Sequence, residues 1–312
     1  MWKPLHLVPA NTRIDFLRFH KFTFVLSIVM VLGSIGLIAT KGLNFGIDFA
    51  GGIVMEVKSP DASADLGAMR SGLNNLGLGE MSLQEFGSPD VVLIRIPQQD
   101  GGETATQEAV AKVQASLGSN WEYRRTETVG PKVGSELIEG ALIAFLLAMG
   151  GIMAYIWFRY EWNYGVNALI ALVHDCVTTV GLFALLGLEF NLTTVAAVLT
   201  IAGYSVNDTV VVFDRIRYEL RRYKTMNVRD VINLSLNATL SRTTVTSGLT
   251  MLSVLALAIW GGEAMRGFSI ALVWGIAIGT YSTLFMATPL LLYANLRPGA
   301  KAKTAEADSP SA

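Results

Sequence analysis

The sequence contains little cysteine, little charge and no excess of either sign. Its one cysteine, Cys176, lies in an apolar run, so an intramolecular disulfide is excluded and the redox compartment is left open. Charged residues make up only 16% of the 312 residues, whereas 52% are hydrophobic. This composition is too apolar for a soluble domain of this size and is typical of a polytopic membrane protein. The net charge of −1 gives no indication of nucleic-acid binding.

The sequence also lacks the usual patterns of an enzyme. We find no catalytic triad, metal-ligand cluster or nucleotide-binding loop, so we expect no enzyme, no cofactor and no metal. The glycine-rich segment 42–52 could suggest a phosphate-binding loop, but its spacing is not G-x-G-x-x-G and a strand pattern follows it. A tight turn between a membrane helix and a folded domain is the better interpretation.

Six apolar spans are long enough to cross a bilayer as helices. They cover residues 22–39, 136–158, 165–187, 192–213, 243–260 and 267–293. Small residues at the end of the first span could mimic a signal-peptide cleavage site, but the five further spans favour a signal anchor. We predict one transmembrane helix at 22–39 and five more within 136–296.

The predicted membrane topology follows from lysine and arginine. These residues are concentrated before the first span, between the fourth and fifth spans and after the sixth, whereas loops 188–191 and 261–266 contain few of them. The positive-inside rule then puts both termini in the cytoplasm and segment 40–135 outside. In a bacterium this means a multi-pass protein of the inner (cytoplasmic) membrane with a periplasmic domain.

Two terminal segments are predicted to lie on the cytoplasmic side. Residues 1–21 contain basic and aromatic residues, so they either form an interfacial helix on the inner leaflet or act as a simple positive anchor. Residues 297–312 are polar and are expected to be disordered.

Segment 40–135 is predicted to contain a small α+β domain. Strand and helix patterns alternate in the order βαββαβ, at residues 52–58, 65–76, 81–86, 91–96, 103–117 and 121–129. Between the second and third strands, Gly87-Ser-Pro-Asp90 is a turn signal. The order indicates a ferredoxin-like sandwich. Because it contains neither histidine nor cysteine, we expect this domain to bind or position a partner.

The fourth span contains an aspartate, Asp208, within an otherwise apolar helix. Such a residue costs about 2.5–3.5 kcal/mol on insertion scales, so its side chain should face protein or water. From Asn191 the helix reaches Asp208 after about 24 Å at 1.5 Å per residue, in the inner half of the bilayer. Ser205 shares its face, and Tyr204 and Asn207 lie beside it. We predict that this polar stripe faces another helix or a water-filled cavity.

Three further polar positions have alternative interpretations. Arg242, near the start of the fifth span, either reaches Asp208 or snorkels to the interface. The pair His174–Asp175 in the third span is either a proton relay or a polar knot that joins helices. Asp48, beyond the first span, is either structural, which we favour, or lines a proton exit.

Four blocks of this sequence together resemble a known family. They are Gly42-Leu-Asn-Phe-Gly-Ile-Asp-Phe-Ala-Gly-Gly52, His174-Asp175, Ser205-Val-Asn-Asp-Thr-Val-Val-Val-Phe-Asp-Arg215 and Leu240-Ser-Arg-Thr-Thr244. From about residue 11 to 296 the chain resembles the SecF subunits of the bacterial protein translocase, which belong to the SecD/SecF family of the RND superfamily. Ala50 is a departure, because many relatives have a hydroxyl residue there.

The resemblance implies a function and a set of site residues. SecF is similar to half of an RND-type transporter, and a SecD-like subunit supplies the other half as an obligate partner. The family uses the proton-motive force to help unfolded polypeptides through the SecYEG channel, with YajC and YidC as further candidate partners. By position, Asp208 matches the membrane carboxylate and Arg242 its partner, with Ser205 and Asn207 beside them. The remaining matched residues are the signature turn Gly46, Asp48, Gly51 and Gly52, and the polar residues His174, Asp175, Asp214 and Arg215.

Two other functions remain open at this point. An RND-type proton-coupled exporter of lipid or small molecules would need a substrate funnel, for which segment 40–135 is small. A purely structural scaffold for the channel would tolerate neutral residues at Asp208 and Arg242.

Overall fold

The structure, a computed structural model, describes residues 9, 12–294 and 296. Within that part of the chain, six helices are long and apolar enough to cross a membrane, with mean hydropathies from 1.5 to 2.4. They are Phe16–Lys41, Lys132–Arg159, Trp162–Leu186, Leu192–Arg222, Val228–Trp260 and Glu263–Tyr293. The six predicted spans are thus confirmed, and the predicted tail 297–312 lies outside the described residues.

The chain enters the bundle through a short 3₁₀ turn, Phe16–Phe19, which leads into α1 (His20–Lys41). Within the segment 1–21 that is predicted to be an interfacial helix or a positive anchor, the described residues form only this short turn before α1. Phe16 and Leu17 are buried in the bundle, and the backbone N–H of Ile14 donates to the side chain of Asn237 at 2.8 Å. Phe16 and Leu17 therefore pack on protein, whereas Phe19 is 60% exposed.

A compact turn joins α1 to the α+β domain. It consists of β1 (Asn44–Phe45) and the one-turn helix α2 (Ile47–Ala50). The domain contains β2 (Gly52–Lys58), α3 (Leu66–Asn74), β3 (Ser82–Phe86), β4 (Ser88–Ile96), α4 (Gly102–Leu117) and β5 (Glu122–Val129). The predicted βαββαβ order is confirmed.

The four strands form one antiparallel sheet in the order β3-β4-β2-β5, as in a ferredoxin-like fold. Residues from the sheet and from both helices, including Met55, Leu73, Ile94 and Val113, make a separate hydrophobic core. The turn predicted at Gly87-Ser-Pro-Asp90 is shorter in the structure. β4 already begins at Ser88, because Gly87 alone makes the reversal with a φ of 80°.

The chain then returns to the membrane through α5 (Pro131–Arg159), α6 (Trp162–Leu186), β6 (Glu189–Phe190), α7 (Leu192–Arg222), α8 (Val228–Trp260) and α9 (Glu263–Ser282). α9 continues as a π-helical turn, Thr283–Ala287, and as α10 (Thr288–Leu290). The predicted boundary at residue 136 is five residues late, because only Gly130 separates β5 from α5. α7 and α8 also extend beyond the predicted spans, because charged residues end a hydropathy window without ending a helix.

The middle of the bundle is formed by α6, α7 and α9, which supply most of its buried side chains. In contrast, α1, α5 and α8 expose large apolar residues such as Phe22, Leu147 and Leu252. Such faces suit lipid or a partner helix. The polar residues of interest are therefore held on the three central helices and on the inner side of α8.

Candidate functional site

Asp208 lies on α7 and faces α8. Its side chain is 7% exposed, and its Oδ1 accepts a hydrogen bond from the Thr243 hydroxyl at 3.0 Å. Its Oδ2 is buried and has no hydrogen-bond partner among the described residues. A buried acceptor without a partner is costly, so this oxygen marks a place where a proton, a water or another donor would be favourable.

A second buried carboxyl, Asp175, lies on α6 and is fully buried. Its Oδ1 lies 2.9 Å from Nδ1 of His174, and its Oδ2 accepts hydrogen bonds from the hydroxyls of Ser205 at 2.6 Å and Ser282 at 2.8 Å. The cluster thus joins α6, α7 and α9. The interhelical knot proposed from the sequence agrees with these contacts, and they are also compatible with a relay.

Hydroxyl groups continue this polar network between the helices. Thr209 on α7 contacts Thr283 at 2.8 Å between their hydroxyl oxygens. Tyr204 donates to Ser247 of α8 at 3.3 Å, and Ser247 lies 2.9 Å from the Thr280 hydroxyl. In the part of the chain that the structure describes, no group of three or more His, Cys, Asp or Glu side chains could hold a metal ion. The hydroxyl groups of the network can each donate one hydrogen bond and accept others.

The expected contact between Arg242 and Asp208 is absent from the described structure. Thr243 makes the contact instead, and Arg242 is exposed. Adjacent helical residues point about 100° apart, so Thr243 lies directly against the carboxyl, while Arg242 is further away but still near enough to interact with it electrostatically. Arg242 therefore lies near Asp208 without a hydrogen bond or ion pair to it among the described residues.

Two of the residues predicted to accompany Asp208 have other positions. Ser205 shares its face of α7 but donates to Asp175, because the close crossing of α6 brings that carboxyl within reach. Asn207 is exposed.

The signature turn holds the N-terminus of α7. The Gly46 N–H donates to the Phe190 carbonyl at 2.9 Å, and β1 pairs in parallel with β6. Asp48 accepts a hydrogen bond from the backbone N–H of Leu192 at 2.9 Å. This N–H is one of the free donors at the start of α7, so Asp48 acts as an additional cap and has the structural role favoured from the sequence.

Glycine is required where the turn enters the sheet. Gly52 has a φ of 115°, and a Cβ atom there would lie 2.5 Å from the carbonyl oxygen of Ile96. Gly51, the preceding residue, has a φ of 69°. Residues other than glycine rarely adopt such positive φ angles, so this backbone conformation requires glycine at both positions.

Comparison with known proteins identifies the family. Residues 109–297 match the model of the C-terminal part of the protein export membrane proteins SecD/SecF, and residues 36–59 match the SecD/SecF GG motif. The chain is 47% identical over 297 residues to the protein translocase subunit SecF of Rickettsia felis, covering 94% of this chain and 96% of that protein. It is 47% identical over 307 residues to SecF of Rhodobacter capsulatus, covering 94% and 92%. The chain belongs to the SecF family of protein translocase subunits.

Solved structures of SecDF have the same fold. The SecDF crystal structure from Thermus thermophilus matches with a TM-score of 0.83 and 32% identity, over 94% of this chain and 40% of that one. A SecDF structure in a super-membrane-facing form matches with a TM-score of 0.71 and 31% identity, over 98% and 41%. The chain therefore spans about two fifths of the SecDF chains it matches. It is a multi-pass membrane protein of this family, and its GG motif is the turn that caps α7.

Two other predicted site residues lie away from both carboxyls. Asp214 forms an exposed ion pair with Arg159 at 3.4 Å. Arg215 pairs with Glu219 at 2.6 Å, one turn further along α7. These contacts give both residues a local structural role in this SecF-family chain.

An ion pair that the sequence analysis did not predict joins the α+β domain to the membrane bundle. Arg95 of β4 pairs with Glu189 of β6, and so connects the α+β domain directly to the loop before α7. Their side chains are 14% and 29% exposed. They are 94 positions apart in the sequence, and no local pattern could have indicated the contact.

Proposed function

We propose that this chain is a proton-motive-force-driven accessory subunit of the Sec protein translocase, without enzymatic chemistry of its own. It acts with an obligate SecD-like partner, promotes the export of unfolded polypeptides through the SecYEG channel and assists their release in the periplasm. The carrying observation is Asp208, a carboxyl that is buried on a helix long enough to cross a membrane and has one oxygen without a partner among the described residues.

The surroundings of Asp208 support both of its protonation states. Burial and the unpartnered Oδ2 favour the neutral form, whereas the hydrogen bond from Thr243 favours the ionised form. Each proton that crosses the membrane provides about 2.3 kcal/mol per 100 mV. A carboxyl that alternates between two such states can use this energy to change helix packing.

Arg242 is proposed as the second partner of Asp208 in a different conformation. Arg242 lies on the exposed side of α8, one residue before Thr243. Because successive residues are about 100° apart, a rotation of α8 would replace the hydroxyl by the guanidinium. Loading and release of the proton would then accompany two orientations of α8 against α7.

The N-terminus of α7 offers a mechanical connection to the α+β domain. Asp48 and the β1–β6 pairing hold this helix end, and Glu189 beside it pairs with Arg95 of the domain. Asp208 lies on the same continuous helix. We propose that a shift of α7 is transmitted through these contacts to the domain, which we assign to the periplasmic side, with both termini in the cytoplasm of the cell.

A membrane partner is also supported by Asn207. A polar side chain exposed within a membrane-spanning helix requires protein or water beside it. Since the chain spans about two fifths of SecDF, we assign this face to a SecD-like subunit. SecYEG, YajC and YidC are proposed further partners in the inner membrane.

Substitution of Asp208 tests this function. We expect Asp208→Asn to accumulate to normal levels and to co-purify with its SecD-like partner, while cells that depend on it lose proton-dependent export. The matched control is Asp214→Asn on the same helix, whose exposed ion pair is worth at most about 1 kcal/mol. Normal export by Asp208→Asn would contradict the proposal.

An RND-type exporter of lipid or small molecules is the alternative. It is favoured by one observation, an apolar cavity of about 510 Å³ between α5, the signature turn and α7, lined by residues including Phe45, Phe49, Leu142 and Phe190. This alternative would be supported if the reconstituted protein moved a lipid or a small hydrophobic dye only when a proton gradient is imposed, and had no effect on polypeptide export.

A further inference from the structure

We infer that Asp175 is a second proton-binding carboxyl, arranged in series with Asp208 and connected to it through Ser205. This inference rests on the proposed proton-driven function, and it concerns how a proton is held between the helices. It is carried by the fully buried cluster of His174, Asp175, Ser205 and Ser282.

The cluster can accept a proton without moving any heavy atom. The Ser282 oxygen lies 2.8 Å from Oδ2 of Asp175 and 3.1 Å from the carbonyl oxygen of Gly279. A serine hydroxyl has one hydrogen, so it can donate to only one of these oxygens at a time. When Asp175 is ionised, Ser282 donates to the carboxylate. When Asp175 is protonated, its O–H donates to Ser282, which donates in turn to Gly279.

His174 holds the other oxygen of the carboxyl. Its Nδ1 lies 2.9 Å from Oδ1 of Asp175, so the hydrogen bond assigns the proton of the neutral ring to Nδ1. Its Nε2 is buried and has no partner among the described residues. His174 is therefore a positioning residue that leaves Oδ2 as the proton-binding atom.

The other titratable groups around Asp175 are few. On α6 itself Cys176 follows it, and from α9 the Tyr281 ring lies 6.2 Å from the His174 ring. The Tyr281 hydroxyl donates to the Thr23 carbonyl of α1 at 2.9 Å, away from the carboxyl. From α7 the titratable residues on either side of Ser205 are Tyr204 and Asp208, and the Tyr204 hydroxyl donates to Ser247 of α8. Among the described residues, the ion-pair contact of the Asp175 carboxyl is the one with His174.

Ser205 lies between the two carboxyls. It donates to Asp175, and Asp208 follows it by three residues, which places both on one face of α7. Helix side chains lean towards the N-terminus, so the Asp208 carboxyl lies over the turn that contains Ser205. The unpartnered Oδ2 of Asp208 is thus a suitable second partner for this hydroxyl, directly after rotation of the serine or through one water.

Proton transfer along this route is balanced. The O–H bond of protonated Asp208 breaks as a proton reaches the Ser205 oxygen, and the original Ser205 O–H bond breaks as its proton reaches Asp175. Asp208 ends ionised, Asp175 ends neutral and Ser205 is unchanged. No oxidant, reductant or other reactant is needed.

Helix packing keeps the three elements close enough for this exchange. A Cβ atom at Gly279 of α9 would lie 3.2 Å from Cβ and 3.4 Å from the hydroxyl oxygen of Ser205. Directly after Ser282 the helix changes to π geometry, a feature that is frequent at functional sites. The glycine permits the close crossing, and the π turn sets the direction of Ser282 and Thr283.

Infrared difference spectroscopy on the complex with its membrane partner tests the inference. As the pH is changed, we expect that among the carboxyl C=O bands of this chain one is lost in Asp175→Asn and a different one is lost in Asp208→Asn. Ser282→Ala should shift the Asp175 band only, whereas Ser205→Ala should shift both. Thr178→Val is the matched control, because Thr178 donates to the backbone carbonyl of Asp175 and not to its carboxyl.

Each result is decisive for the inference. Absence of any Asp175-dependent band across the pH range overturns the second site, and a Ser205→Ala effect confined to the Asp175 band overturns the connection. If Asp175→Asn does not assemble, the Ser282→Ala shift provides the same test in a milder variant. Failure of the proposed function is distinguishable, since then export would be normal in Asp208→Asn whatever the bands show.

Discussion

Breaking the Arg95–Glu189 pair should loosen the α+β domain on the membrane bundle. Glu189→Gln keeps the size of the side chain and removes the charge that faces Arg95. The Arg95 side chain is 14% exposed, and its Nε already lacks a hydrogen-bond partner among the described residues. The variant therefore leaves a largely buried guanidinium without its carboxylate.

The magnitude follows from this partial burial. Exposed pairs are worth about 0.2–1 kcal/mol, whereas removal of one partner of a fully buried pair costs about 3–5 kcal/mol. An intermediate loss of about 1–3 kcal/mol is expected, which is roughly a 5- to 150-fold change in the ratio of attached to detached domain.

Distances between spin labels measure this change. One label is attached at Glu108 on the exposed side of α4 and the other at Trp260, which is 78% exposed at the end of α8. The one native cysteine, Cys176, is buried and is replaced by alanine. We expect Glu189→Gln to broaden the distance distribution, and the exchanged pair Arg95→Glu with Glu189→Arg to narrow it again.

Glu127→Gln is the control for this experiment. Glu127 pairs with Arg125 within β5, where both side chains are about half exposed, so its loss leaves the domain attached. An unchanged distribution in Glu189→Gln, or equal broadening in both variants, would refute the reasoning.

Three further predictions concern the turn and the site. Gly52→Ala should lower the free energy of unfolding of the purified protein by about 1–3 kcal/mol, and with it the melting temperature. The φ of 115° is unfavourable for alanine, and the added methyl group would contact a carbonyl oxygen. Asp48→Ala should increase hydrogen exchange at the Leu192 amide, through a loss of about 0.5–2 kcal/mol of capping. Thr243→Val should reduce proton-dependent export, because it removes the one hydrogen bond that Asp208 accepts in the described structure.

Each of these predictions would be refuted by a specific result. Unchanged melting of the Gly52 variant would show that the turn relaxes at no cost, and unchanged exchange in the Asp48 variant would remove its capping role. For Thr243→Val the control is Thr244→Val on the exposed side of α8. Equal export by the two variants would show that the hydrogen bond to Asp208 is unimportant.

The sequence predicted those features that follow from local pattern. Six apolar spans and the βαββαβ order were confirmed because hydropathy and residue period depend only on neighbouring positions. The position of Asp208 within one long helix could be predicted for the same reason.

Features that depend on helix crossing could not be predicted. The contact of Asp208 with Thr243, and not with Arg242, depends on a rotation of α8 by one residue. Likewise Ser205 could have faced either carboxyl, and only the approach of α6 directs it to Asp175. These choices are fixed by packing between helices, on which a single sequence contains no direct information.

The central claim is that Asp208 binds and releases the proton that drives export. The most direct test measures proton flux and polypeptide export together, in vesicles that contain this chain, its SecD-like partner and the channel, under an imposed proton gradient. We predict that export rises with the gradient alongside proton flux, and that Asp208→Asn abolishes both gradient-dependent signals while Asp214→Asn retains them. Gradient-driven proton flux and export that persist in Asp208→Asn would contradict the account.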